Sequence, residues 1–427
     1  MKNILLVFLL ISASLFGQKT DKKWDNVIAL ENEGKIKSAN EIVDKIYKKA
    51  ISRKEETEMI RCFFYQSKYL IILDENAQTK ILNNLKTDIN RVSVPSKSIL
   101  NLVYAKCLAD YYNRNQYKIN QRTNISEVDT DFFTWTKNNF TTQIELALEN
   151  SLENEAILKN TPLTKYETIF DYTTIENFKT LSVLDYAIEE NITLLSQRIR
   201  NWEIKRSDFL SFKKELLGKS NDFVKINFDS VKNSDLKLTL KLYQKLENNK
   251  PTTENVWKRI QFSKKFLIDE DQEYIQALEL LQKNTIDILL IQNIQLEKAN
   301  YLALKASKQS NPNNYIKAIQ TLDSILKINN RSNAYKLAVQ KKENILYKSI
   351  NVQLQKYIYN KENTRAFVQY KNVENLKISF YKIDQKVLDE FRISYRTRDG
   401  IRDTIVKNYK PVVTQSYTLT NKKDYFE

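Results

Sequence analysis

The stretch "WDNVIALENEGKIKSANEIVDKIYKKA", Trp24 to Ala50, decides the fold class of this chain. Apolar residues recur at helical spacing on both sides of Gly34, which predicts two helices joined by a tight turn. Trp24 and Leu30 mark the buried face of the first helix. The second helix carries small and large residues on its buried face, namely Ala39, Val43, Tyr47 and Ala50. Small residues allow two helices to approach closely, so the pattern predicts a helical hairpin.

The same mixture of aromatic and alanine residues recurs near the end of the helical region. "EYIQALELLQKN" contains Tyr274 and Ala277, and "NYIKAIQTLDSILKIN" contains Tyr315 and Ala318 at the same spacing. The intervening "QLEKANYLALKASKQ" adds Ala299, Ala303 and Ala306. The pattern is similar to tetratricopeptide repeats, with an irregular period, and such arrays often bind peptides or other proteins on a concave surface. The alternative, that these helices only pack against neighbouring domains, stays open.

The helical period extends over most of the chain. Four prolines fall between the periodic segments, at Pro95, Pro162, Pro251 and Pro312, as expected for residues that interrupt helices. The period predicts helices over 22–33, 37–52, 55–73, 77–90, 97–114, 138–149, 180–200, 208–217, 234–247, 253–268, 272–283, 286–308, 313–327 and 332–349.

Residues 111–140 interrupt this pattern with many Asn, Thr and Asp residues. Aromatic residues are scattered through the segment, namely Tyr117, Phe132, Phe133 and Trp135. We predict an ordered loop that docks its rings into the helical bundle. The alternative is a glycan or nucleotide stacking site, with Arg114 and Arg122 beside exposed rings; a carbohydrate-capture protein of this kind would depend on Trp135.

The composition excludes several functional classes. The chain has 427 residues and a formal charge of +16, but its Lys and Arg are mixed with acidic residues along the whole length, so we predict no nucleic-acid partner. It contains no histidine, and its four glycines form no phosphate-binding or nucleophile motif. We therefore predict no enzyme, no catalytic, cofactor-binding or metal-binding residue, and no cofactor.

The start of the chain, "MKNILLVFLLISASLFGQ", predicts a signal peptide over residues 1–18. It is too short to remain as a membrane anchor, and no cysteine stands at the cleavage site, so we expect an exported protein that is not a lipoprotein and has no integral membrane segment after cleavage. Localisation would be the periplasm or the extracellular space. Cys62 and Cys107 fall on the apolar faces of two predicted helices, where a disulfide or two buried thiols are both possible.

At residue 351 the period changes from helical to alternating. Five runs are typical of strands: "VQLQKYIY", "RAFVQYKN", "LKISFYKI", "VLDEFRISYRT" and "VVTQSYTL". They predict an antiparallel β-sandwich over 351–427. These 77 residues are fewer than the roughly 100 of a complete sandwich domain, so we expect an incomplete domain of marginal stability by itself.

The stretch "AFVQYKNVENLKISFYKI", residues 366–383, resembles the start of the first macroglobulin-type domain in bacterial alpha-2-macroglobulin proteins of the Bacteroidetes type. In those proteins a strand ends in an aromatic-Lys-Asn-Val turn, and an alternating strand follows. The stretches "YYNRNQYKINQRT" and "DFFTWTKNNF" resemble the long helical domain that precedes it. The opening of the helical region resembles that domain too, at Trp24, Leu30, Gly34, Lys35, Ser38 and Ala39.

The resemblance implies the N-terminal part of an exported protease inhibitor. In that family a protease cuts a bait segment and is trapped, often through a thioester formed within Cys-x-Glu-Gln. Cys62 is followed by Phe-Phe-Tyr and Cys107 by Leu-Ala-Asp, so neither matches that motif. The resemblance implies that the bait region and the thioester lie outside this chain, and that proteases are met only through those further domains.

The predicted organisation is a mainly α chain that ends in a partial β-sandwich. It comprises a signal peptide (1–18), an N-terminal helical domain (19–250), tetratricopeptide-like hairpins (251–350) and an incomplete macroglobulin-like sandwich (351–427). The first functional hypothesis is the scaffold portion of an alpha-2-macroglobulin-like endopeptidase inhibitor. The alternative is an exported helical-repeat adaptor that binds a protein of the cell envelope.

Overall fold

The computed structural model describes most of the chain after residue 21. The described residues are 22–123, 131–170, 178–199, 209–267, 271–355, 365–393 and 398–427, with the single positions 175, 204 and 363. The predicted signal peptide lies outside them. The chain divides into two compact units, Met1–Ile268 and Asp269–Glu427, so the last helical hairpins belong to the same unit as the strands.

The described part of the first unit consists of helices and their connections. Consecutive helices from α1 to α6 pack against one another, and α8 packs against α5 and α11. Two short 3₁₀ helices, Leu163–Tyr166 and Phe178–Thr180, precede α8. The α-helices are α1 (Lys22–Asn32), α2 (Ile36–Arg53), α3 (Glu56–Leu73), α4 (Ala77–Ile89), α5 (Val94–Asn120), α6 (Lys137–Asn150), α7 (Glu155–Asn160), α8 (Val183–Arg198), α9 (Lys213–Leu216), α10 (Ser220–Phe223), α11 (Ser234–Asn249) and α12 (Thr253–Lys264).

The hairpin predicted around Gly34 is confirmed. Gly34 has a φ of +74°, a conformation that residues with a side chain rarely adopt. The backbone N–H of Lys35 donates to the carbonyl of Leu30 over 2.8 Å and closes the end of α1. Trp24 and Ala39, 1% and 0% exposed, lie in a buried cluster shared by α1, α2 and α3. The apolar period and the turn residue therefore fixed this element locally.

The predicted loop over 111–140 is wrong in its first part, because α5 continues to Asn120. The segment 111–120 contains neither Gly nor Pro, and the Asn115 side chain donates to the carbonyl of Tyr111 one turn earlier, over 2.9 Å. Its asparagines are thus accommodated on a helix. High Asn content predicted a loop here, but the absence of a helix-breaking residue decided the outcome.

The docking of the aromatic rings is confirmed for two of the four residues. Phe132 and Trp135 are buried, and the Trp135 ring lies 5.4 Å from that of Phe140. Tyr117 and Phe133 remain exposed, by 79% and 39%. The second part of the segment therefore contributes to the core through Phe132 and Trp135.

A buried ion pair joins α11 and α12. Arg259 and Glu247 both have fully buried side chains, and Arg259 Nε lies 2.5 Å from Glu247 Oε1. The remaining guanidinium N–H groups donate to the carbonyls of Glu215 (3.0 Å), Gly218 (2.9 Å) and Leu216. These carbonyls belong to the end of α9 and the turn after it. Arg259 therefore supplies hydrogen-bond donors to carbonyls at the end of α9 and in the turn after it.

The second unit begins with four helices that pack consecutively. They are α13 (Asp271–Lys283), α14 (Ile288–Leu304), α15 (Asn314–Leu326) and α16 (Asn333–Leu346). Ala299, Ala318 and Ala338 are completely buried in their common core. The predicted close approach at small residues is confirmed at Ala299 and Ala318, and Ala338 adds a third position that was not predicted.

Two antiparallel pairs of strands and two helices follow. The elements are β1 (Ser349–Leu354), β2 (Ala366–Lys371), β3 (Asn375–Tyr381), α17 (Gln385–Ile393), α18 (Arg398–Asn408) and β4 (Pro411–Thr418). β1 pairs with β2, with Ser349 opposite Lys371, and β3 pairs with β4, with Asn375 opposite Thr418. The chain is thus mainly helical with a small antiparallel strand portion, as the sequence predicted at this level.

The strand predicted for "VLDEFRISYRT" is wrong. Residues 385–393 form α17, and 394–397 lie outside the described residues. Val387, Leu388 and Phe391 are half-buried on one side of this helix. Their spacing of one and four residues fits a helical face.

The link between β2 and β3 depends on Asn372. This residue has a φ of +57°, a left-handed conformation that Asn tolerates better than most residues. Its side-chain amide donates to the carbonyls of Ile345 (3.0 Å) and Tyr347 (3.1 Å) at the end of α16. One residue therefore turns the chain between the two strands and attaches the turn to the helices.

The end of the chain also contacts the helices of the second unit. Tyr425 packs against the helical core, and the ring of Phe426 lies 4.8 Å from that of Tyr315 on α15. The Lys371 ammonium lies 5.5 Å from the same Tyr315 ring. Residues 351–427, expected to be marginal by themselves, thus share part of their packing with the helical hairpins.

Candidate functional site

An open groove of about 720 Å³ lies on the second unit. Three consecutive helices, α13, α14 and α15, line it. Ala299 of α14 and Ala318 of α15 lie in the buried core described above, and the lining residues Ile275 and Leu302 also contact that core. The groove therefore lies directly against the core that holds the unit together.

Each helix lines the groove with residues at the same spacing. The positions on α13 are Gln272, Ile275, Glu279 and Gln282. Those at the corresponding positions on α14 and its C-cap are Gln295, Lys298, Leu302 and Lys305. The set on α15 is Asn314, Lys317, Thr321 and Ser324. Steps of three, four and three residues keep side chains on one face of a helix, so each helix presents a single continuous stripe to the groove.

The lining is polar rather than apolar. Only Ile275, Tyr301 and Leu302 are apolar or aromatic among the lining residues. Six of the lining side chains are carboxamides: Gln272, Gln282, Gln295, Asn311, Asn314 and Gln320. A carboxamide offers both a hydrogen-bond donor and an acceptor. The surface can therefore hydrogen-bond a backbone whose N–H and C=O groups both point at it.

The charged residues of the groove are unevenly balanced. Lys298 Nζ lies 2.6 Å from Glu279 Oε1, which links α14 to α13. The Lys305 ammonium lies 5.8 Å from the Tyr301 ring centroid, and Lys317 has no ion pair with any described residue. Three lysines against one glutamate leave a formal charge of +2 on the lining.

Hydrogen bonds behind the groove fix the helices that form it. The Tyr274 hydroxyl of α13 donates to Glu297 of α14 over 2.8 Å, and the Tyr274 and Tyr301 rings lie 4.7 Å apart. Gln292 is 1% exposed, and its oxygen accepts from Asn330 (2.8 Å). That contact attaches α14 to the link between α15 and α16. The stripes are therefore held in register by Tyr274, Glu297 and Gln292, which do not line the groove, and by the lining residue Tyr301.

A smaller cavity of about 320 Å³ lies in the first unit. Lys159, Lys179 and Lys250 line it together with Asp185. Asp185 is already engaged, because it accepts from Ser182 Oγ (2.9 Å) at the start of α8 and pairs with Lys250 (3.3 Å). The residues there complete a helix end, and the cavity carries no functional assignment.

The two cysteines are free. Cys62 is fully buried and Cys107 is partly buried, so the predicted core position is confirmed for Cys62. Burial raises the pKa of the Cys107 thiol to about 12, and it raises that of Cys62 further. Both sulfurs are therefore thiols at neutral pH, a form that is a weak nucleophile.

The stacking surface considered for the segment 111–140 is not formed by Trp135. This side chain is 3% exposed and packs edge-on against Phe140. A sugar ring cannot reach it without unpacking the core, so the glycan hypothesis that depended on Trp135 is wrong for this residue.

The groove residues were not predicted, although the helices that carry them were. The apolar period of these helices locates their buried faces but does not mark the groove on their polar faces. The signal for the groove is the repeated spacing of amide and lysine residues, as at Gln295, Lys298 and Lys305. The meeting of three such stripes has no local signal, because it depends on how α13, α14 and α15 pack.

No group of three or more Cys, Asp or Glu side chains within the described ranges could hold a metal ion. The helices in the described part of the chain include none with both the length and the apolar character of a membrane span.

No family model matches the sequence, and the comparisons with curated proteins and with solved structures found no match.

Proposed function

We propose that the chain is a tetratricopeptide-like helical-repeat protein that holds an extended polypeptide segment in the groove of the second unit. The observation that supports this function is the carboxamide-rich lining shared by three neighbouring helices. An extended backbone exposes N–H and C=O groups along its length, and Asn and Gln can satisfy both. In this role the protein is an adaptor of the cell envelope rather than a catalyst.

The dimensions of the groove fit a short extended segment. The stripe from Gln272 to Gln282 covers ten residue steps, which correspond to about 15 Å along the helix. An extended chain advances about 3.3 Å per residue. The groove therefore accommodates about five residues of an extended polypeptide, which sets the length of the probe for binding experiments.

We expect Gln320→Trp to weaken the binding of extended peptides at least tenfold. Gln320 is an exposed lining residue on α15, so an indole there occupies ligand space without disturbing the core. The measurement is the fluorescence anisotropy of a labelled pool of random hexapeptides titrated with the full chain. The control is Lys336→Trp, which places the same ring on an exposed position of α16 outside the groove. Equal binding by the two variants would contradict the proposed site.

A second proposal is that the chain forms the front portion of an alpha-2-macroglobulin-like protease inhibitor. Two structural features support it beside the resemblance. β2 ends at Lys371, Asn372 turns the chain, and β3 begins at Asn375, as in the strand–turn–strand order of that family. Apolar side chains on the strands are exposed, with Phe367 at 60% and Val412 at 67%. Strand surfaces of this kind are typical of a sheet that further elements cover.

This second function predicts a native product much larger than the chain itself. We expect an immunoblot of the cell-envelope fraction, with an antibody against residues 19–350, to show a band several times larger than 50.5 kDa. Protease trapping would then reside in the parts that contain the bait and thioester. A single band at about 50 kDa would contradict the inhibitor function and leave the adaptor as the hypothesis to pursue.

A further inference from the structure

We propose that the segment held in the groove is acidic, and that Lys317 is the main residue that selects for its carboxylates. This inference rests on the proposed function, since it specifies the ligand of the same groove. It follows from which charges of the lining are already neutralised and which are not.

Lys298 contributes little net field to the groove. Its ammonium lies 2.6 Å from Glu279, the single acidic residue in the lining. The two charges cancel at close range, and the pair serves to connect α13 with α14. The net positive charge of the lining therefore centres on Lys317, which forms no ion pair with a described residue.

The two remaining lysines occupy different surroundings. Lys305, at the C-terminal end of α14, lies over the Tyr301 ring, which positions its ammonium beside the groove floor. Lys317 lies on the first turns of α15, is exposed, and forms no ion pair with a described residue. The nearby acid of the same helix, Asp323, is engaged by Lys342 at 2.5 Å. Lys317 is thus the lining cation with the most freedom to meet a ligand carboxylate.

The carboxamides and the lysines of the groove have different roles in recognising a peptide. Asn314 and Gln320 lie three residues on either side of Lys317 along α15 and also line the groove. Carboxamides bind a peptide backbone of any sequence, whereas an ammonium group discriminates by charge. A basic segment would meet the like charge of Lys317, and a neutral one would leave that charge uncompensated. An Asp- or Glu-containing segment is therefore the best complement.

The test compares three labelled hexapeptide pools with the full chain by fluorescence anisotropy. Half of the positions in each pool are random, and the others are Asp or Glu in the acidic pool, Asn or Gln in the neutral pool, and Lys or Arg in the basic pool. We expect the acidic pool to bind most tightly and the basic pool most weakly. Raising the salt concentration from 50 to 500 mM should weaken acidic binding and bring the three pools together.

Lys317→Glu should weaken acidic binding about fivefold and neutral binding by much less, because it replaces one exposed attraction to carboxylates by a repulsion. Lys336→Glu changes the charge of the chain equally at a site outside the groove and should have no effect.

Equal affinity for all three pools, with Gln320→Trp still blocking them, would overturn the acidic-ligand inference alone. An equal loss in both lysine variants would overturn the role of Lys317. The absence of binding by any pool would overturn the peptide-binding function itself.

Discussion

Arg259→Ala should lower the free energy of unfolding of the first unit by about 4 kcal/mol. The substitution leaves the Glu247 carboxylate buried without its cation, and the loss of one partner from a buried ion pair costs about 3–5 kcal/mol. It also removes the donors to the carbonyls of Glu215, Leu216 and Gly218. Because all four tryptophans lie before residue 268, tryptophan fluorescence during urea unfolding reports on this unit.

Two further variants separate the causes of that loss. The double variant Glu247→Leu, Arg259→Met removes both charges, so it should recover about half of the stability, with the carbonyls of Leu216 and Gly218 still lacking their guanidinium donors. Arg53→Ala, which breaks an exposed pair with Glu55 at 3.7 Å, should change stability by less than about 0.5 kcal/mol. If Arg259→Ala behaved like Arg53→Ala, the buried pair would not stabilise the junction of α9, α11 and α12.

Trp24→Ala is expected to destabilise the first unit by about 4 kcal/mol as well, through a different mechanism. Its ring is 1% exposed and lies 4.5 Å from the Tyr65 ring, with the Arg61 guanidinium 4.0 Å from its centroid. Removing a buried aromatic side chain costs about 3–5 kcal/mol, since a cavity remains. The measurement is urea unfolding followed by circular dichroism at 222 nm.

Trp24→Phe is the matched control for the cavity. Phenylalanine keeps an aromatic ring in the site but loses the hydrogen bond from Trp24 Nε1 to Glu58, which measures 2.9 Å. We expect a loss of only about 1 kcal/mol. A loss for Trp24→Ala no larger than that for Trp24→Phe would show that the α1–α2–α3 cluster repacks around the missing ring, contrary to the tight packing described here.

The hairpins were predictable because their signals are local. The period of apolar residues placed α1, α2, α13 and α15 within one or two residues of their observed ends, and Gly34 marked a turn that requires positive φ. The errors occurred where local signals conflict. The Asn-rich residues 111–120 are compatible with either a loop or a solvated helix. The run "VLDEFRISYRT" contains apolar residues both at helical spacing and at the alternating spacing of a strand. For 111–120 the absence of Gly and Pro allowed the helix to continue, and for 385–393 the half-buried face of Val387, Leu388 and Phe391 favoured a helix.

The helices that form the candidate site were predictable from the sequence, but their meeting in one groove was not. The sequence contains every Gln, Asn and Lys of the groove on helices that periodicity identifies, yet nothing in it says that Gln272, Lys298 and Lys317 face one space. Those residues come from three helices and are brought together by contacts in the core, such as those of Ala299 and Ala318. Polar faces tolerate many substitutions, so they carry little pattern of their own.

The sequence by itself determined the mainly helical class, the hairpin turns and four of the antiparallel strand segments, because hydrophobic period and turn residues act over a few positions. Only the tertiary structure decided which of the four aromatic residues in 111–140 are buried, that Arg259 meets Glu247 and three carbonyls, and that three polar stripes form one groove. Each of these depends on which distant residues share a space. Burial, ion pairing and concave surfaces are properties of that assembly rather than of any short stretch of chain.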